Sequence, residues 1–156
     1  MVVNVRICAV DLMDIDLATL AHLAGISAND AILKQLHEIG HTGVRISHGY
    51  VIQHLVEGEP TVSELGELLG VTQQAASKQV LELERLGYVQ RVEDRGDSRI
   101  RRARLTERGR RLVEDSRRLR RQLDVHGDDA VKRALIRLIE ATGGAEGVRG
   151  RRVPMA

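Results

Sequence analysis

The run HEIGH, His37 to His41, matches H-E-x-x-H, a spacing that can hold zinc between two imidazoles while the glutamate acts as general base. That chemistry requires His37 and His41 to project from one face of a continuing helix, with Glu38 free between them. Gly40 stands where a left-handed glycine would end a helix, and Gly43 follows closely. On that reading His41 falls beyond the helix, the two imidazoles share no face, and no third ligand stands in an expected context. A zinc hydrolase is left as a remote alternative.

The second group of residues with chemical potential is arginine. Arginine outnumbers lysine 21 to 3, and its distribution is uneven although the net charge is only +2. Residues 1–70 carry three basic side chains against nine acidic ones, a local charge of −6. Residues 85–121 carry fourteen arginines against six acids, a local charge of +8. A division of that size points to a polyanionic partner for one part of the molecule, or else to a solvated helix face.

Composition bounds the rest. At 156 residues the chain is long enough for one domain with a real core. Tyr50 and Tyr88 are its only aromatics, so an aliphatic core of Leu, Ile, Val and Ala is expected. The single cysteine, Cys8, excludes an internal disulfide framework and fits a reducing compartment. No apolar run approaches the roughly 18 residues of a membrane span. The opening MVVNVRICAVDLMDID is interrupted by Arg6, Asp11 and Asp14, which makes it a poor signal peptide. A cytoplasmic protein with no membrane partner is expected.

The elements that would position these residues are legible. Leu17, Leu20, Ala21, Ala24, Ala31, Ile32, Leu36 and Ile39 recur at helical spacing, with a disturbance expected at Gly25 and a restart at Ser27 to Asp30. A second helix covers about 46–57, with Val51, Ile52 and Leu55 inward. Thr61-Val-Ser-Glu64 is a capping box opening a short helix to Leu69, and Gly70-Val71 makes a turn. Thr72 then caps a helix to about Leu86, stopped by Gly87. Residues 88–92 and 101–105 alternate like strands around the turn sequence Glu93-Asp94-Arg95-Gly96-Asp97-Ser98. Thr106 caps a long helix carrying Leu112, Leu119 and Leu123. His126-Gly127 ends it, and a last helix carries Val131, Leu135, Leu138 and Ile139.

Short helix, tight turn, longer helix and charged hairpin is the order of a winged helix-turn-helix. On the helix after Thr72, Ala76, Val80 and Leu83 share one face and can pack inward. Gln74, Ser77 and Lys78 share the opposite face near its start, where base edges of a major groove are reached. Gln73 sits nearer the core boundary, and Leu81 points outward, able to pack on a thymine methyl. The hairpin continues as Asp97-Ser98-Arg99, then Leu105-Thr106 and Gly109, or D-x-R-x5-L-T-x-x-G.

With that motif, and with VSELGELLGVTQQAASKQVLELERLGYVQRV upstream, residues 40–125 resemble the MarR family of bacterial transcriptional regulators. The resemblance implies a mainly α fold with a small β-hairpin wing, an intertwined homodimer through the terminal helices, and no catalytic activity. It implies a double-stranded DNA operator as partner, pseudo-palindromic, with repression relieved by a small-molecule effector and no cofactor. Residues 45–105 would form the DNA-binding domain, with 14–44 and 106–142 as dimerisation helices. Residues 1–13 would be an N-terminal extension and 143–156 a disordered tail.

The family's wing places its Arg in the minor groove with the Asp holding it, which makes Arg99 and Asp97 the corresponding residues here. Thr72, Gln73, Gln74, Ser77 and Lys78 would serve the major groove, with Arg95 and Arg101 on phosphates. The remaining arginines, such as Arg110, Arg111, Arg117 and Arg118, are expected to be a solvated helix face. The effector pocket of the family would lie near His37, His41, His48 and Tyr50. Those histidines, with His54, could make a metal sensor as some members are, and Cys8 a redox sensor. Cys8 has no thiolate-favouring neighbourhood in the sequence.

Overall fold

A computed structural model of the chain describes residues 11–94, 96–124 and 128–144. Cys8, Arg95, the His126-Gly127 break, most of the expected N-terminal extension and the tail from residue 145 lie outside the described residues. Among those described, a short 3-10 turn (Leu12–Asp14) precedes α1 (Leu17–Glu38), α2 (Ile46–Val56), α3 (Val62–Leu69) and α4 (Gln73–Arg85). There follow β1 (Val89–Glu93), β2 (Arg101–Leu105), α5 (Glu107–Asp124) and α6 (Asp129–Ala141). The fold is a winged helix, mainly α with one antiparallel hairpin in which Val89 pairs with Leu105 and Glu93 with Arg101.

The local starts and stops follow from side-chain chemistry. Asp16 caps α1 by accepting from the Thr19 N–H at 3.0 Å and the Thr19 hydroxyl at 2.7 Å. The α1 helix then runs unbroken through Gly25, so the expected disturbance and restart are absent. An isolated glycine costs a helix only about 1 kcal/mol, which the flanking turns offset. The capping box at α3 forms as expected: Thr61 N–H donates to Glu64 at 2.7 Å, and Glu64 N–H to the Thr61 hydroxyl at 3.2 Å. Gly70 ends α3 at φ +65.

The α3–α4 crossing is close enough that a side chain at Gly66 would meet the Val71 carbonyl oxygen at 3.1 Å. A second close approach explains the end of the L-T-x-x-G motif. Thr106 donates its hydroxyl to the Gly87 carbonyl at 2.6 Å and accepts from the Gly109 N–H at 3.1 Å. A Cβ on Gly109 would stand 2.2 Å from the Tyr88 carbonyl oxygen, so α5 can dock there only with glycine.

The core gathers Val51, Leu55, Leu65, Ala76, Val80, Leu83, Val89, Ala103 and Leu112 from α2, α3, α4, the hairpin and α5. It is not purely aliphatic. Tyr88 is its largest fully buried side chain, and His48 is fully buried as well. Ile32 and Leu36 of α1 join this core, whereas Leu17, Leu23 and Ile26 remain exposed. Leu123, expected inward on α5, is exposed, and α6 buries no residue.

Candidate nucleic-acid interface

Burial of Ala76, Val80 and Leu83 to zero exposure fixes the rotation of α4 and turns its other face outward. Thr72, Gln73, Gln74 and Lys78 are exposed and Ser77 half-buried. Thr72, Gln74, Ala75, Ser77, Lys78 and Leu81 line one open groove at the start of the helix. Thr72 accepts from the Ala75 N–H at 3.2 Å, leaving its hydroxyl proton free for a phosphate. Leu81 is 42% exposed, as its outward position on the helix required.

The hairpin is held at a set angle by residues the sequence reading did not single out. Asp94 accepts from the Gly96 N–H at 2.8 Å and from the Asp97 N–H at 3.3 Å, and its other oxygen pairs with Arg102. Arg102 reaches on to the Glu59 carbonyl at 3.0 Å and to Glu64 of the capping box at 3.5 Å. Beside it, Arg104 makes a two-pronged pair with the Glu59 carboxylate, and the Ala103 N–H donates to the Pro60 carbonyl at 2.9 Å. The segment before α3 thus acts as a partial third strand, bridging Thr61 to Arg102. The Arg102 guanidinium, with the Gly96 and Asp97 N–H groups, holds the Asp94 carboxyl below the usual carboxylate range. The one available signal was Asp94-x-Gly96, an Asx-turn spacing.

At the wing tip, Asp97 and Arg99 are both exposed. Asp97 accepts from the backbone N–H of Arg99 at 2.9 Å, so the aspartate fixes the backbone that presents the arginine. No ion pair joins the two side chains among the described residues, which leaves the Arg99 guanidinium unpaired in solvent. Arg101 pairs with Glu93 across the hairpin at 3.1 Å, both side chains more than half exposed. A pair so exposed contributes little and can open. On α5, Arg110 pairs with Glu107 at 3.3 Å and Arg118 with Asp115 at 2.7 Å.

The histidines do not converge. The α1 helix ends at Glu38, Gly40 adopts φ +99, and His41 lies beyond the helix. The His37 ring bonds the Val44 carbonyl at 2.8 Å, whereas His41 Nε2 lies 2.9 Å from Asp115. His48 is bonded to Glu82, and His54 faces a different groove with Tyr50 and Leu68. Among the described residues no three His, Cys, Asp or Glu side chains are placed to share a metal ion.

A mainly apolar recess lies elsewhere, between α1, α2 and α5. This cleft of about 90 Å³, open to solvent, is walled by Ile32, Leu33, Leu36, Val44, Ile52 and Leu112 and edged by Asn29, Arg45, Gln53, Arg117 and Arg120. None of His37, His41, His48 and Tyr50, the residues expected at an effector pocket, lines it. Arg120 donates to Asn29 at 3.2 Å, but its Nε is buried with no partner, and burial lowers its pKa.

With this geometry in view, residues 42–100, the winged-helix segment, match the MarR family model. Solved MarR-family regulators share the fold. The structure of RV1404 from Mycobacterium tuberculosis is 26% identical, with TM-score 0.63 over 81% of this chain and 89% of that one. CouR from Rhodococcus jostii RHA1, solved bound to p-coumaroyl-CoA, is 24% identical, with TM-score 0.59 over 86% and 95%. MepR of S. aureus, solved as a mutant bound to an oligodeoxyribonucleotide, is 17% identical, with TM-score 0.57 over 83% and 99%. No curated protein matches the chain by sequence. No described helix is long and apolar enough to cross a membrane.

Proposed function

We propose that this chain is a sequence-specific, non-catalytic repressor that binds a pseudo-palindromic operator as a homodimer in the cytoplasm, associated with the nucleoid when bound. The observation that carries the reading is the pairing of an outward polar edge on α4 with an unpaired arginine at the wing tip. Thr72, Gln73, Gln74, Ser77 and Lys78 serve the major groove, and Arg99, presented by Asp97, enters the minor groove beside it, where negative potential is enhanced. Arg95 and Arg101 contact phosphates, Arg101 by exchanging Glu93 for DNA. That MepR, a protein of the same fold, is solved bound to an oligodeoxyribonucleotide supports the DNA-binding reading.

Residues 45–105 form the DNA-binding part, and 14–44 with 106–142 the dimerisation part. The exposed Leu17, Leu23 and Ile26 of α1 and Val131 and Ile136 of α6 support an apolar seam between two copies. A small-molecule effector occupies the cleft between α1, α2 and α5, in keeping with CouR being solved with a bound ligand. Selection of bound duplexes from a random pool tests the whole reading. It should return two-fold-related half-sites about one helical turn (~34–36 Å) apart. Recovery of no enriched sequence would refute it.

A further inference from the structure

The N-terminus of α2 and the recognition helix are joined by a charged cluster that has no part in the contacts assigned above. His48, on α2, has no exposed surface, and its Nδ1 accepts from the Arg45 backbone N–H at 3.3 Å. The ring's Nε2 lies 3.3 Å from the Glu82 carboxylate on α4 and 3.2 Å from the Arg45 guanidinium. The Arg45 guanidinium pairs with the same Glu82 oxygen. Glu82 is thus held from the α2 side by two groups at once.

Glu82 also stands four residues after Lys78 on α4, near enough for the lysine's charge to act on its carboxyl. A carboxylate there is a hazard to DNA binding. If uncompensated, it repels phosphates and offers Lys78 a partner within the same helix. Arg45 removes that hazard while it stays on Glu82. The same Arg45 lines the apolar cleft, whose described walls contain three arginines and no carboxylate.

We propose that Arg45, with His48, is a positioning residue that holds Glu82 off Lys78, and that an anionic group entering the cleft competes for its guanidinium and so frees Glu82 to act against DNA. The second half rests on the effector reading of the cleft. Arg45 is displaced toward the ligand, Glu82 loses its compensating charge, and Lys78 turns from phosphate to carboxylate. No bond is made or broken beyond these ion pairs.

The test is operator affinity of the full chain against salt concentration. Arg45→Gln should bind about tenfold more weakly, with a salt slope shallower by about one phosphate contact. Arg45→Lys should behave as wild type, which separates charge from folding. Glu82→Gln should bind at least as tightly as wild type, and Arg45→Gln/Glu82→Gln should recover wild-type affinity. A double variant as weak as Arg45→Gln would overturn the proposal, because Arg45 would then act on DNA itself. Unchanged affinity in Arg45→Gln would overturn it as well. For the cleft, octanoate should weaken wild-type binding, octanamide should not, and Glu82→Gln should be insensitive to both. An octanoate effect of equal size in Glu82→Gln, or none in wild type, overturns the link between cleft and helix. Failure of the wild type to bind any operator would instead refute the proposed function.

Discussion

The winged-helix half and the terminal helices are built on opposite terms. In the first, every element offsets its ordering entropy with buried contacts: Val51, Leu65, Ala76, Val80 and Leu83 have no exposed surface, and the hairpin is pinned through Arg102 and Arg104 to the segment before α3. In the second, α6 buries nothing and the first half of α1 leaves Leu17, Leu23 and Ile26 in solvent. The Ile32–Leu36 end of α1 belongs to the first half, since both side chains lie in the shared core. The winged-helix half is therefore complete within one chain, whereas the other half has an apolar face that the described residues of the same chain leave uncovered.

The sharpest test of completeness is a core truncation. Leu83→Ala should destabilise the chain by about 2–5 kcal/mol at any protein concentration, read by denaturant unfolding. A loss well below that range would mean that the winged half is packed loosely. The counterpart test is Ile136→Asp on α6. It should leave the unfolding of the winged half nearly unchanged but shift sedimentation from dimer to monomer at micromolar concentration. A variant that still sediments as a dimer would remove α6 from the seam.

Much of the fold was readable in the sequence because its signals are local. The capping box at Thr61–Glu64, the glycines at 70 and 87 and the period-two runs around the turn each decide their own few residues. The end of α1 before His41 was legible for the same reason, and it dissolves the HEIGH pattern as a two-ligand helix face. What was not legible depends on distant pairing. Asp94, Arg102 and Glu59 look like three more surface charges until the fold brings 59 beside 102, 43 positions away. Likewise Asp97 does not hold the Arg99 side chain; its bond goes to the backbone, a distinction that no spacing reveals. The cleft was not legible because its walls come from three helices.

Arg99→Ala should cost about 1–3 kcal/mol of operator binding while leaving the unfolding midpoint unchanged, since the guanidinium has no described partner to lose. Asp97→Ala should act in the same direction, through looser presentation of the same residue. Equal affinity of wild type and Arg99→Ala in a gel-shift titration would remove the wing from the interface. A Gln74→Ala variant that changed affinity by the same factor on every sequence would make Gln74 a phosphate contact and not a reader of bases.

The smallest expected effect concerns pH, and it lies within the winged half. Burial pushes the His48 pKa below its ordinary 6.5, a shift that the bond to Glu82 opposes and the Arg45 charge reinforces. A base with a depressed native pKa binds fewer protons folded than unfolded in the window between the two values. Stability is therefore fully present above about pH 6.5 and declines as pH falls from there through the native value, below which the loss is complete. Glu82, Glu64 and Asp94 also have lowered values, but their ordinary pKa values of 4.5, 4.5 and 3.8 put their losses at lower pH. The two windows can be separated by denaturant unfolding at a series of pH values. His48→Gln keeps an N–H to offer Glu82 but has no proton to gain, so the decline just below pH 6.5 should flatten while the acid limb stays. If the variant keeps the wild-type slope, another group governs that window, and His48 is then no more than a packed ring beneath α4.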